Sequence, residues 1–146
     1  MSAPKQERAS VEPKVAKEVA QDEIARWMSS MCLRFDTESM DAEDRTGHEN
    51  SLETLTNAVM DGNLVLNEKS EFVYSPLNSE GGDIIFHEPT GASLMAMDQH
   101  KKNHDVGKGF ATMCEMTRQN MQRYSKMGMR DLRVCQTLTM LFLRST

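Results

Sequence analysis

The spacing of apolar residues changes twice along this chain, and that change constrains the fold more than any other sequence feature. Apolar residues recur every three or four positions up to about residue 62, alternate with polar residues up to His87, and return to helical spacing after Pro89. The alternating part contains three runs, "NLVLN" at 63–67, "EFVYSPL" at 71–77 and "DIIFH" at 83–87. Alternation predicts short strands, so we expect an antiparallel hairpin or three-stranded sheet between two helical segments. Such a sheet needs a helix packed against one face.

The connections within this sheet also follow from single residues. The glycines of "NSEGG", at 78–82, allow a tight turn between the last two strands. Pro76 cannot donate a hydrogen bond to a neighbouring strand, so its strand is either an edge or ends there.

The segment before the sheet predicts two helices. The first should begin near Gln21, with an apolar stripe made by Ile24, Trp27, Met28, Met31 and Phe35. Residues 36–50 are acidic and almost free of apolar side chains, which indicates a solvated connection. The second helix is expected to begin at Asn50, as a cap, and to end at Gly62.

The segment after Pro89 predicts three helices. Thr90 can cap a short helix through Leu94 and Met97. Asp105 can cap a longer one, broken at Gly128, whose stripe is Val106, Phe110, Met113, Cys114, Thr117 and Met121. The last helix, from about Asp131, is apolar over more of its circumference than a surface helix needs, so it is either central to the core or covered by another chain.

The length of 146 residues fits one domain. Residues 1–20 mix proline, serine and charge and are expected to form a flexible tail, followed by a helical hairpin at 21–62 and a core unit at 63–146. The hairpin and the core unit are expected to form one compact body. The predicted fold class is α+β, mainly α: a helical bundle with a small antiparallel sheet.

Charge and cysteine content limit which classes of partner and which cellular compartment we expect. The chain carries 17 basic and 22 acidic residues, for a net charge of -5, which disfavours nucleic acid as a partner. No apolar stretch is long enough for a membrane helix and no signal peptide is visible, so we expect no membrane partner and a cytoplasmic location. Cys32, Cys114 and Cys135 lie in apolar helical contexts and are predicted to be buried free thiols in a reducing compartment.

No pattern in the sequence indicates catalysis, a cofactor or a metal. His100 and His104 stand one helical turn apart, but no further ligand completes a zinc site. "GKG" at 107–109 lacks the first glycine and the following hydroxyl of a phosphate-binding loop. Because no nucleophile has a base positioned beside it, we predict that the protein is not an enzyme.

Several segments resemble the small tail assembly chaperones of long-tailed bacteriophages. The similar segments are "EFVYSPL", "IIFHEPT", "GASLMAMD", "VGKGFATMCEMT" and "MGMRDLRVCQTLTMLFL". The resemblance covers about residues 64–143 and leaves 1–62 outside. It implies a non-catalytic assembly chaperone in the host cell cytoplasm that binds the tape measure protein and helps to recruit tail tube subunits. It also implies that this chain is the shorter of two forms related by a ribosomal frameshift.

The 13 methionines suggest where a helical client would bind, because methionine is flexible and suits adaptable surfaces. The helices spanning 105–143 are expected to present a Met/Leu surface to the client or to a second copy of the chain. The predicted partner-binding residues are Met95, Met97, Met113, Met116, Met121, Met129, Leu138, Met140, Leu141 and Phe142. Two other interpretations stay open: a structural tail or neck component retained in the virion, and a small cytoplasmic protein-interaction adaptor.

Overall fold

The computed structural model describes residues 14–77, 82–92, 95 and 105–145. Their helices are α1 (Lys17–Ser30), α2 (Ala42–Met60), α3 (Asp105–Thr117), α4 (Met121–Ser125) and α5 (Met129–Arg144). Their strands are β1 (Leu64–Leu66), β2 (Phe72–Tyr74) and β3 (Ile84–Phe86). The described part of the chain is therefore mainly helical with one antiparallel sheet, which confirms the predicted fold class.

All three predicted strands are present, in the order β1-β2-β3 with antiparallel neighbours. The register places Leu64, Tyr74 and Ile84 side by side, and all three are buried. The alternate positions point away from the core, where Val65 is 51% exposed. β2 is the central strand and ends two residues before Pro76, so the missing proline donor falls outside the ladder.

The core lies between the inner face of the sheet and the long helices. Trp27 of α1 is fully buried, and its ring centroid lies 5.2 Å from that of Phe72 and 5.5 Å from that of Phe142. One aromatic cluster thus joins α1, the central strand and α5. Aromatic contacts of this geometry add to the free energy of simple area burial.

A buried carboxylate fixes the end of the sheet against α5. Asp131, in the first turn of α5, is 3% exposed and accepts hydrogen bonds from the Tyr74 hydroxyl at 2.5 Å and the Leu77 backbone N–H at 2.8 Å. A charged acceptor with two donors avoids the cost of a buried, unpaired charge. Burial and the neighbouring carboxylate raise the pKa of Tyr74 far above its ordinary value, so the phenol keeps its proton.

Helix α1 begins earlier in the chain than predicted, and it also ends earlier. It begins at Lys17 because Ala20, one turn before Ile24, is also fully buried. It ends at Ser30, so Phe35 lies beyond the helix. The N–H groups of Cys32 and Leu33 donate to the carbonyls of Ser29 and Met28, at 3.1 and 2.9 Å, which closes the helix end. Residues 1–13 of the predicted tail lie outside the described residues.

The predicted solvated connection at 36–50 is confirmed for residues 36–41 and wrong for 42–50, which are helical, and the predicted cap at Asn50 is wrong. Helix α2 begins at Ala42, where the side chain of Asp41 accepts a hydrogen bond from the Asp44 N–H at 2.8 Å. Glu43 and Asp44 occupy the first turn, where negative charge stabilises the helix N-terminus. The first half of α2 carries few apolar residues because most of it faces solvent, and for that reason its sequence suggested a loop.

The predicted end of α2 at Gly62 is confirmed. Gly62 has φ +83°, the left-handed conformation that glycine adopts without strain. Its N–H donates to the Val59 carbonyl at 3.0 Å, and the Asn63 N–H donates to the Ala58 carbonyl at 3.1 Å. This is the two-bond pattern that commonly ends helices.

The break predicted at Gly128 comes ten residues earlier and is followed by a short helix. α3 ends at Thr117, because Arg118 takes the left-handed conformation with φ 56°. α4 then begins at Met121, capped by Asn120, whose side chain accepts from the Arg123 N–H at 3.1 Å. α5 begins at Met129, close to the predicted position.

The segment between β3 and α3 is described only in part. The Thr90 hydroxyl accepts a hydrogen bond from the Ala92 N–H at 3.2 Å, as expected for the predicted cap. Leu94 and Met97, the predicted apolar positions of the short helix, lie outside the described residues.

The three cysteines are free thiols in three different environments. Cys135 is buried, Cys114 is partly buried and Cys32 is exposed, so the prediction of burial is wrong for Cys32. Burial raises the pKa of Cys135 to about 12 and raises that of Cys114 above its ordinary value.

Candidate functional site

Four of the ten predicted partner-binding residues are sealed in the monomer core. They are Met113, Met116, Leu138 and Leu141, each at most 1% exposed. α3 packs against both β3 and α5, and this arrangement covers the Met/Leu faces of the two helices. The prediction that these four residues line an exposed surface is therefore wrong. The apolar breadth of α5 reflects its central position, the first of the two alternatives that its sequence allowed.

Five of the other six predicted residues are described, and they are spread over three segments of the chain. Met95, Met121 and Met129 are exposed, and the last two begin different helices. Met140 and Phe142 are half-buried, with Phe142 held against Trp27. Met97 lies outside the described residues. None of the described five lines the groove that follows.

A wide groove between α1 and α2 offers a more coherent site. Its volume is about 740 Å³. Ile24 forms its buried base, and Met28, Leu52 and Met60 flank that base as half-buried side chains packed on the core. Two of these apolar side chains are methionines, which change shape at little energetic cost. The groove therefore has an apolar floor that can adapt to an occupant.

The two edges of the groove differ in charge. The α2 edge carries Glu49 and Glu53, one helical turn apart, while the α1 edge carries Lys17 and Gln21. Because α2 begins at Ala42 and not at Asn50, both glutamates stand on regular helix with fixed spacing. The acidic edge favours an occupant with basic side chains along one side.

The length of the groove matches a short helix. Its α2 lining runs from Glu49 to Met60, which is roughly 16 Å at about 1.5 Å per residue. An occupying helix of about three turns would cover this length. An apolar floor with polar edges is the arrangement that receives the apolar face of an amphipathic helix.

Sequence reasoning missed this groove for an identifiable reason. Ile24 and Met28 belonged to the predicted apolar stripe of α1, but the partner surface was predicted on the helices spanning 105–143. Placing residues 36–50 in a loop removed Glu49 from the helix and concealed the acidic edge.

A second cluster surrounds His48 of α2, beside Arg144 at the end of α5. The His48 ring lies 4.7 Å from the ring of Phe35, centroid to centroid, and the site also contains Glu43, Asp44 and Arg144. Burial, together with the charge of Arg144, lowers the pKa of His48, while Glu49 acts weakly in the opposite direction. His48 is therefore a neutral packing residue near pH 7.

Among the described residues, no group of three or more His, Cys, Asp or Glu side chains is arranged to hold a metal ion. The His100 and His104 pair lies outside that part of the chain. None of the helices that the structure describes combines the length and the hydropathy needed to cross a membrane.

Comparison with family models, curated proteins and solved structures gave no match for this chain. The geometry of the α1–α2 groove is therefore the main guide to function.

Proposed function

We propose that this protein is a non-catalytic assembly factor that binds an amphipathic helix of a client protein in the α1–α2 groove. The observation that carries the proposal is the groove itself, with a floor of Ile24, Met28, Leu52 and Met60 beside an acidic edge. Burying such side chains under a client helix provides the main favourable free energy, and the edge selects the orientation.

The client that the sequence favours is the phage tape measure protein. The segments of 64–143 that resemble tail assembly chaperones support a long helical client of this kind, with tail tube subunits as a further partner. The groove lies in 17–60, before the similar segments. On this proposal, the segments that resemble tail assembly chaperones contribute the sheet and the later helices, which support α1 and α2. The client helix binds in the groove between α1 and α2.

The chemistry of the described thiols supports a binding role. The pKa of Cys135 is about 12, and that of Cys114 is also raised, so both are protonated near neutral pH. A protonated thiol is a weak nucleophile. Cys32 is exposed but lies beyond the end of α1, outside the groove lining.

The decisive experiment replaces the groove methionines with a polar side chain of similar size. The probe is a fluorescein-labelled helical peptide with leucines along one face and lysines along one edge of that face. The Met28→Gln/Met60→Gln double variant should bind it at least about tenfold more weakly, a loss of about 1.4 kcal/mol. Binding is measured by fluorescence anisotropy.

The matched control removes two methionines from outside the groove. Met121 and Met129 are exposed, so the Met121→Gln/Met129→Gln variant should bind the peptide within about twofold of the wild type. Equal losses of peptide affinity in the two double variants would exclude the groove as the client site. Retention of a tape measure fragment in solution by the wild type, and not by the groove variant, would extend the result to that client.

A further inference from the structure

A pocket of opposite charge lies on the other side of α2. Its volume is about 510 Å³, and it is formed where the chain before α1, the end of α2, the sheet and the first turns of α5 meet. Three cationic side chains line it, Lys14, Arg130 and Arg133, against the single carboxylate of Asp61. In a chain with a net charge of -5 this is a concentrated positive site.

The positions of the three cations are set by the fold. Lys14 is anchored by its backbone N–H, which donates to the Met60 carbonyl at 2.8 Å. Its side chain crosses directly over Gly62, where a Cβ atom would lie 2.7 Å from the lysine Cδ. The Lys14 side chain thus occupies the space that a side chain at Gly62 would take.

The two arginines stand on a rigid support. They are three residues apart on α5, so they project from neighbouring positions on one side of the helix. Asp131, between them, is buried and binds the Tyr74 hydroxyl and the Leu77 N–H, which holds the end of the sheet beside them. Within the described part of the chain, none of the three cations is paired with a carboxylate.

The pocket wall is apolar as well as cationic. Ala58 and Val134 are buried in it, and Leu77 stands at its mouth, 57% exposed. An inorganic anion would contact the cations but would gain nothing from the apolar side chain of Leu77. A peptide with acidic residues next to an apolar one would use both, through charge-assisted hydrogen bonds and burial of the leucine.

We propose that this pocket binds an acidic peptide segment of a partner protein, with carboxylates on Lys14, Arg130 and Arg133 and an apolar side chain on Leu77. Asn57 lines both this pocket and the α1–α2 groove. Helix α2 thus separates two sites of opposite charge preference, one for a helix with a basic edge and one for an acidic segment. The protein would hold the two segments next to each other.

The test uses the full chain and a fluorescein-labelled peptide of glutamate residues around a central leucine. The Arg130→Gln/Arg133→Gln variant should bind this peptide at least about tenfold more weakly, because it loses two charge-assisted contacts. The Leu77→Ser variant should show a loss of about threefold or more. The single tryptophan, Trp27, reports by its emission whether each variant keeps its folded core.

Three controls decide the outcome. Arg26→Gln/Lys126→Gln removes the same charge from exposed positions elsewhere, and it should change the affinity by less than about twofold. The groove variant Met28→Gln/Met60→Gln should bind the acidic peptide normally, which separates this proposal from the groove proposal. Inorganic phosphate should compete only weakly.

The proposal is overturned by any one of four results. The first is no binding of the peptide, and the second is an equal loss in the two double charge variants. The third is a loss in the groove variant, which would place the peptide in the groove. The fourth is displacement by inorganic phosphate as effective as by unlabelled peptide, which would make the site a simple anion site.

Discussion

The methionines of α3 and those of the α1–α2 groove all stand on helices, but their environments in the structure are opposite. Met113 and Met116 are at most 1% exposed, whereas Met28 and Met60 are only half-buried. The difference comes from what lies opposite each helix. α3 is covered by β3 and α5, while α1 and α2 pack on each other and leave one side of their contact open. A methionine-rich pattern therefore does not identify a binding surface until the neighbouring elements are known.

The largest expected effect compares one methionine from each region. Met116→Asp places a carboxylate in the sealed core, and we expect a loss of more than about 4 kcal/mol, close to complete unfolding. Met28→Asp places the same group at the groove, where water reaches it, and should cost about 1 kcal/mol. Chemical denaturation followed by Trp27 fluorescence gives both values.

This comparison fails if the two variants lose similar stability. A folded, stable Met116→Asp protein would mean that α3 can present its methionines to a partner after all, and the surface predicted at 105–143 would regain support.

The next largest effect is the pH dependence of stability contributed by His48, at the contact between α2 and α5. The pKa of His48 is lower in the folded chain than in the unfolded chain, where it is about 6.5. The unfolded state therefore binds the proton more readily, and the stability contributed by neutral His48 is present above that pH and lost as the pH falls below it. The loss from this one proton cannot exceed about 1.4 kcal/mol per pH unit.

The measurement is the free energy of unfolding between about pH 7.5 and pH 5.5. The carboxylates of Glu43, Asp44 and Glu49 and the guanidinium of Arg144 surround His48 and remain in a His48→Gln variant. The wild type should lose more stability over this range than the variant. Parallel curves would show that His48 contributes nothing to the pH dependence.

The smallest expected effect lies at the end of α1. Cys32 holds φ 57°, which is strained for any residue with a Cβ atom. Cys32→Gly should relieve this strain and stabilise the protein by about 0.5–1 kcal/mol. Cys32→Ala is the control, since it removes the thiol and keeps the Cβ atom. An equal gain in the alanine variant would attribute the effect to the thiol and not to the backbone.

The sequence predicted the elements that depend on local rules. Strands β1, β2 and β3 followed from alternation, and the end of α2 followed from Gly62. The start of α2 was missed because capping by Asp41 and a favourable acidic first turn outweighed the lack of an apolar stripe. The break after Thr117 was missed because Arg118 adopts a conformation usually taken by glycine.

By itself, the sequence determined the α+β class, the three antiparallel strands and the apolar residues available for the core, because backbone geometry and side-chain period act over a few neighbouring positions. Only the tertiary structure decided which methionines are sealed and which line a groove, and which distant cations share a pocket. Burial depends on contacts between segments far apart in the chain, so a methionine on an amphipathic helix can end in the core or beside an open groove.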